Sequence, residues 1–153
     1  MNIYGYCRIS TAKQSIDRQI RNIKAEYPTA HIVQEAYTGT SIFRPEWLKL
    51  YRILKSGDMV VFDSVSRMSR NAEEGFALYE DLYHKDIRLV FLKEHHIDTE
   101  TYKKALSGSI AMTGTNVDFI LKGINEYLMA LAKEQIKLAY KRNGRWEEII
   151  VPK

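Results

Sequence analysis

Between residues 2 and 9 successive positions alternate in character. Ile3, Gly5, Cys7 and Ile9 fall on one side, and Tyr4, Tyr6, Arg8 and then Ser10 on the other. A period of two predicts a strand with two different faces. The rhythm then changes. Ile16, Ile20, Ile23 and Tyr27 recur at helical spacing, Ser15 suits the N-cap, Asp17 suits the first turn, and Pro28 closes the segment. A second strand is expected over 32–37, followed by a polar loop over 38–44 that contains Gly39. Pro45 fits the first turn of a short second helix carrying Trp47, Leu48, Leu50, Tyr51 and Leu54. Ser56, Gly57 and Asp58 read as a turn, 59–63 as a short buried strand, and 64–70 as a loop. Asn71 and Glu74 have the spacing of a capping box, opening a third helix to about residue 85. Residues 88–92 read as a fourth strand. Strands and helices therefore alternate, which predicts an α/β fold with a mainly parallel central sheet flanked by helices in three layers.

Residues 93–115 are polar and contain Gly108 and Gly114, so only a short helix near 100–106 is expected, in mobile surroundings. From residue 116 onward Val117, Leu121, Ile124, Leu128, Leu131, Gln135 and Leu138 follow a heptad seam with one polar member. A helix over 116–142 would be about 40 Å long. Two readings stay open for it: a core helix packed on the sheet, or a helix that packs on its own domain at one end and on a partner subunit along the rest. Ile120, Tyr127 and Ala130 add a second apolar flank. Near its end Lys133, Lys137, Lys141, Arg142 and Arg145 face only Glu134, a charge run that suits either solvent or a phosphate backbone. The expected division is a domain over 1–115, a long helix over 116–142 and a tail over 143–153.

Composition narrows the class. A chain of 153 residues fits one domain, and 45% hydrophobic with 27% charged residues is the balance of a soluble globular protein. Its net charge of +4 leans toward a polyanionic partner. Cys7 is the single cysteine, so an internal disulfide is excluded and a reducing, cytoplasmic setting is expected. Arg8 and Lys13 interrupt any secretory leader, and 59–62 is far too short an apolar run to span a membrane.

The candidate chemistry lies at strand ends, where ligands of parallel sheets collect. Ser10 follows the first strand and Arg8 shares its face. Arg67 and Arg70 follow the third strand just before a helix, and Arg44 opens the second helix. Four arginines beside one hydroxyl suit a phosphate whose negative charge grows in a transition state. Each part alone is unspecific: Ser10 could simply cap a turn, and an arginine pair could be surface charge. Cys7 fits a small core position, and Tyr4 and Tyr6 fit packing against a helix. His95 and His96 are adjacent and would point apart on an extended chain, so no metal site is expected. No G-x-S-x-G surrounds any serine, which argues against a serine-hydrolase triad. Asp58 and Asp63 could belong to a metal-dependent nuclease, but crowded arginines oppose a cation.

The runs Tyr4-Gly5-Tyr6-Cys7-Arg8-Ile9-Ser10-Thr11 and Gln14-Ser15-Ile16-Asp17-Arg18-Gln19 resemble the opening of the resolvase/invertase family of serine recombinases. So do Glu35-Ala36-Tyr37-Thr38-Gly39-Thr40-Ser41 with Arg44, and Val65-Ser66-Arg67-Met68-Ser69-Arg70-Asn71. The similarity runs in order over about residues 2–142 and ends in the long helix. It implies a resolvase-like fold with a long C-terminal oligomerisation helix. It implies Ser10 as a nucleophile forming a 5′-phosphoserine with DNA, and Arg8, Arg67 and Arg70 as phosphate-binding arginines. Arg44 matches a further active-site arginine, Gln14 and Gln19 polar residues near the nucleophile, and Glu35 and Thr38 an acidic and a hydroxyl position in the same pocket. DNA contacts would fall to Gln14, Thr38, Lys137, Lys141 and Arg142. The resemblance further implies DNA as partner, a homodimer pairing into a tetramer, and no metal or cofactor.

Two departures matter. Ser66 stands where many members carry Asp, and a serine cannot take over a carboxylate's proton at neutral pH; Asp63 could compensate or could be a turn residue. Gln135 and Lys141 stand where arginines are common. A non-catalytic oligomerisation or DNA-scaffold module therefore stands as the alternative to an active recombinase. After Arg142 the remaining 143–153 are too short for a DNA-reading domain, so a C-terminal DNA-binding domain is expected to be absent from this chain. Resolvase, invertase, integrase and transposase parents all stay open.

Overall fold

A computed structural model describes residues 1–9, 13–36, 44–69, 71–113 and 118–150, with side chains for 1–8, 16–36, 44–69, 71–109 and 119–142. The alternating start forms strand β1 (Ile3–Ile9), and the helical rhythm after it forms α1 (Lys13–Glu26). Then come β2 (His31–Ala36), α2 (Pro45–Ile53), β3 (Met59–Phe62), α3 (Ala72–His84) and β4 (Arg88–Phe91). The chain finishes in α4 (Thr99–Thr113) and the 33-residue α5 (Asp118–Ile150). The four strands are all parallel, in the order β2-β1-β3-β4. No described helix is long and apolar enough to cross a membrane.

The two faces of β1 separate two apolar clusters. Cys7, Met59, Val61 and Val90 pack with Ile16 and Ile23 of α1 on one side. On the other, Tyr6, Val60, Phe62, Leu89 and Phe91 pack with residues of α2, α3, α4 and α5. This is the expected three-layer arrangement. Gly5 faces α1 where the layers are closest: a Cβ there would lie 2.8 Å from Ile23 Cγ2 and 2.9 Å from Ile32 Cδ1. Phe62 and Phe91 stack in the opposite layer with centroids 5.3 Å apart.

Several expectations are corrected. The first helix begins at Lys13, so Ser15 lies inside it rather than at its N-cap. The short helix near 100–106 is a 15-residue helix. Its start is fixed by side chains that complete the outer edge of β4: Leu89 N–H donates to Thr99 Oγ1 at 2.9 Å and Phe91 N–H to Asp98 Oδ1 at 2.7 Å. Tyr102 is buried against the core. The polar composition of this segment hid these anchors. The last helix runs to Ile150, so most of the expected tail over 143–153 continues it.

The buried stripe of α5 also differs from the heptad seam. Met129, Ala132, Ile136 and Ala139 are buried, whereas Leu131 and Leu138 are 42% and 51% exposed. Two alanines allow the backbone of α5 to approach the domain closely. A pattern search weighted toward large side chains favours the neighbouring leucines instead.

Candidate active site

The site grows from the carboxyl end of β1. The alternation of β1 turns Arg8 to the face of Tyr6, away from α1. Its guanidinium is held by backbone: Arg8 Nη2 donates to Ser66 O at 2.7 Å and to Ser69 O at 3.3 Å. Gln19, buried in α1, grips the same residue's main chain, accepting from Arg8 N at 3.1 Å and donating to Arg8 O at 3.0 Å. Arg67 Nη1 approaches the same carbonyl at 3.5 Å.

Arg67 lies in a single 3₁₀ turn, residues Val65–Arg67. Within and beside it, Arg67 N donates to Ser64 O at 3.1 Å and Met68 N to Val65 O at 3.0 Å. So short a turn takes its position from neighbours. Buried Glu94 accepts from Val65 N at 2.7 Å. From α5, Tyr140 donates to Val65 O at 2.9 Å, and its hydroxyl meets Ser69 Oγ at 2.6 Å.

Arg44 is buried at the mouth of α2. Its guanidinium lies over the rings of Tyr6 and Trp47, each 5.2 Å away. Arg44 Nε donates to the Tyr6 hydroxyl at 3.2 Å, and Tyr6 donates to Glu35 Oε1 at 3.0 Å. Glu35 also caps α2, accepting from Trp47 N at 3.0 Å and Glu46 N at 3.2 Å. Arg44 Nη1 lies 3.9 Å from Glu74 on α3, while Arg44 Nη2 is buried with no hydrogen-bond partner among the described residues.

The electrostatics follow from this crowding. Burial pulls the Arg8 guanidinium below its usual range, and the charges of Arg44 and Arg67 pull the same way. Burial pushes the Tyr140 phenol up to about 12, against the hydrogen bond from Ser69 and the charges of Arg8 and Arg44. The Cys7 thiol is pushed up to about 12 by burial and by nearby Asp63, so it stays a neutral core group.

The structure thus brings together Arg8, Gln19, Glu35, Arg44 and Arg67. Ser10, Thr38 and Arg70 lie outside the described residues, as does the side chain of Gln14, whose backbone is in α1. Lys137, Lys141 and Arg142 are exposed on α5, and Lys137 pairs with Glu134 at 3.6 Å. Asp63 is committed elsewhere: Asn22 Nδ2 donates to it at 2.9 Å and Lys93 Nζ lies at 3.3 Å. By the alternation of β3 it shares the face of Val61, opposite to Arg8. Ser66 Oγ lies 2.7 Å from Ser64 Oγ. Among the described residues no group of three His, Cys, Asp or Glu side chains could hold a metal ion.

Sequence reasoning missed Tyr6, Glu94, Gly75 and Tyr140. A tyrosine on an amphipathic helix carries no signal of its own. The nearest available hint is Gly75, a glycine in the first turn of a helix, where close approach by another group is a standard reason.

Residues 3–146 match the family described as Resolvase, N terminal domain. The chain is 29% identical over 91 residues to the Transposon Tn21 resolvase of Escherichia coli, covering 60% of this chain and 47% of that protein. It is 30% identical over 99 residues to a resolvase of Clostridium perfringens, covering 63% and 52%. It is 26% identical over 140 residues to the Transposon Tn501 resolvase of Pseudomonas aeruginosa, covering 92% and 71%. The first two matches span about half the length of those relatives. In fold it is similar to a resolvase family site-specific recombinase from Streptococcus pneumoniae, with a TM-score of 0.52 at 21% identity, covering 95% of this chain and 99% of that one. The first ORF in transposon ISC1904 from Sulfolobus solfataricus P2 gives a TM-score of 0.51 at 19% identity, covering 84% and 99%.

Proposed function

Because the chain belongs to the resolvase N-terminal domain family, we propose that it is the catalytic domain of a site-specific DNA recombinase that works through a phosphoserine on Ser10. The Ser10 hydroxyl attacks the scissile phosphorus and forms a P–O bond to the protein. The bond to the 3′ oxygen breaks, and that oxygen leaves with a proton as a 3′-hydroxyl. The phosphoserine keeps the phosphate activated, so a 3′-hydroxyl reverses the step and rejoins the strands. No metal or cofactor enters this chemistry.

The observation that carries the reading is the convergence of Arg8, Arg44 and Arg67, from three separate elements, at the strand end that Ser10 directly follows. Arg8 and Arg44 are held by protein partners before any phosphate arrives, and fixed cations stabilise developing charge without reorganising. Arg44 Nη2, without a hydrogen-bond partner among the described residues, is a donor suited to a phosphate oxygen. Arg70 joins this set on the resemblance of its motif. Gln19 and Glu35 are positioning residues, one for the main chain of Arg8 and one for Tyr6 and α2. Gln14, Thr38, Lys137, Lys141 and Arg142 are assigned to DNA backbone contacts. The division into a catalytic domain over 1–115 and an oligomerisation helix from 116 belongs to the same reading, as does the dimer that pairs into a tetramer.

A second reading, a non-catalytic assembly module, is favoured by one feature. Ser66 replaces a carboxylate, and Asp63 is engaged by Asn22 and Lys93 on the other face. The test incubates the chain in EDTA with nicked duplexes of randomised sequence, which trap a cleaved strand. A protein–DNA adduct that survives denaturation and is lost in Ser10→Ala is the expected result. No adduct from DNA-bound protein would falsify the catalytic reading and leave the assembly module.

A further inference from the structure

Arg67 and the carbonyls that hold Arg8 share one short segment, residues 64–69, and Tyr140 enters it from α5, far away in sequence. We infer that Tyr140 is a positioning residue that makes the geometry of the arginine turn depend on α5 being seated on the domain. The inference rests on the recombinase reading of this site.

Among the described residues, side chains of three others hold the turn. Glu94 holds Val65 N at 2.7 Å, and Arg8 takes the Ser66 and Ser69 carbonyls at 2.7 and 3.3 Å. Tyr140 supplies the third grip, donating to Val65 O at 2.9 Å and meeting Ser69 Oγ at 2.6 Å. This third grip comes from the long helix. Ser69 Oγ also lies 2.7 Å from Asn71 O, at the cap of α3, so its one hydrogen is shared between Asn71 O and the Tyr140 oxygen. One phenol therefore ties α5, the arginine turn and the start of α3.

The fold makes room for that phenol. A Cβ at Gly75 would lie 2.5 Å from the Tyr140 hydroxyl and 2.8 Å from Ser69 Oγ. The surrounding stripe of Ala132, Ile136 and Ala139 is buried, so the ring is delivered with the helix. A phenol keeps its proton at neutral pH, and burial pushes this one further up, to about 12, so the donor is present throughout the neutral range. If α5 lifts away, the Val65 carbonyl and the Ser69 hydroxyl lose buried partners. The turn then has reason to move to find new ones. Arg8, held by Ser66 and Ser69, moves with it.

The test uses the full chain with Tyr140→Phe, which keeps the ring and removes the hydroxyl. In amide hydrogen exchange, Arg67 and Met68 are expected to exchange about tenfold faster, the size of one lost hydrogen bond. The amides of β1 and β3 are expected to keep their wild-type rates. Gly75→Ala, which fills the slot, should loosen the same two amides. The double variant should be no worse than the worse single one, because both act on one contact. With randomised nicked duplexes, Tyr140→Phe should form the covalent adduct about tenfold more slowly at unchanged DNA affinity, since loss of positioning lowers the rate and not the binding. Wild-type exchange at Arg67 and Met68 in Tyr140→Phe overturns the inference. So does loosening spread over the whole sheet, which would make Tyr140 a packing residue only. Local loosening with no adduct from the wild type overturns the recombinase reading while the positional coupling stands.

Discussion

At the scale of the residue, the site separates charges that act from charges that hold. Glu35 holds. Buried in β2, it accepts from Tyr6 and from two backbone N–H groups of α2, and so places Arg44, which bonds Tyr6. Glu35→Ala removes a buried hydrogen-bonded carboxylate and leaves Arg44 without its relay. It is expected to cost about 3 kcal/mol in urea denaturation, whereas Glu35→Gln, which keeps an oxygen acceptor, should cost less. The strand-end places of Arg8, Arg44 and Arg67 were legible in the sequence because their spacing is visible there. Tyr6 and Glu94 were not, because their roles depend on which distant backbone group each one reaches. Ser66 was legible as a departure. That Asp63 is tied down by Asn22 and Lys93 on the opposite face of the sheet needed the packed sheet.

At the scale of the element, the strands follow from pattern to within a residue: β1 from its two-residue alternation, and β3 and β4 from the near-continuous apolar runs of buried parallel strands. Helix α4 did not, because its start is anchored by Asp98 and Thr99 onto an edge strand. The turn before α4 also holds a titratable pair. His95 Nδ1 lies 2.8 Å from Asp98 Oδ2, and Nε2 lies 3.9 Å from Glu26. The hydrogen bond to Asp98 raises the imidazole pKa above its ordinary value. By linkage, this contact stabilises the fold fully below the ordinary histidine pKa and is lost as pH rises through the raised folded value. The side chain is about half exposed, so screening keeps the effect on stability small. The titration itself is the better readout. Heteronuclear NMR should place the His95 midpoint above about 6.5, and Asp98→Asn should return it toward that value. An unchanged midpoint in the variant would assign the shift to another group.

At the scale of the whole molecule, α5 presents two different stripes. One, through Met129, Ala132 and Ile136, is buried on the domain. The other leaves Phe119, Tyr127, Leu131 and Leu138 between 42% and 75% exposed. A row of large apolar side chains in water favours self-association. Sedimentation at several concentrations should show reversible dimers, and joint Leu131→Glu and Leu138→Glu substitution should shift them to monomers whose melting curve matches the wild type at concentrations where both are monomeric. A wild-type chain that stays monomeric at high concentration would rule this out. The sequence by itself determined the α/β class, the alternation of strands and helices, the two faces of β1, and the arginine motifs at the strand ends. These depend on local period and on chemistry carried by short runs. Tertiary structure alone decided which stripe of α5 is buried, how far α4 extends, and that Tyr140 reaches the turn of Arg67. Those features rest on close approach between distant segments, at Ala132, Ala139 and Gly75, where the deciding residues are small. Small side chains leave almost no mark on a hydrophobic pattern, yet they set how near two backbones can come.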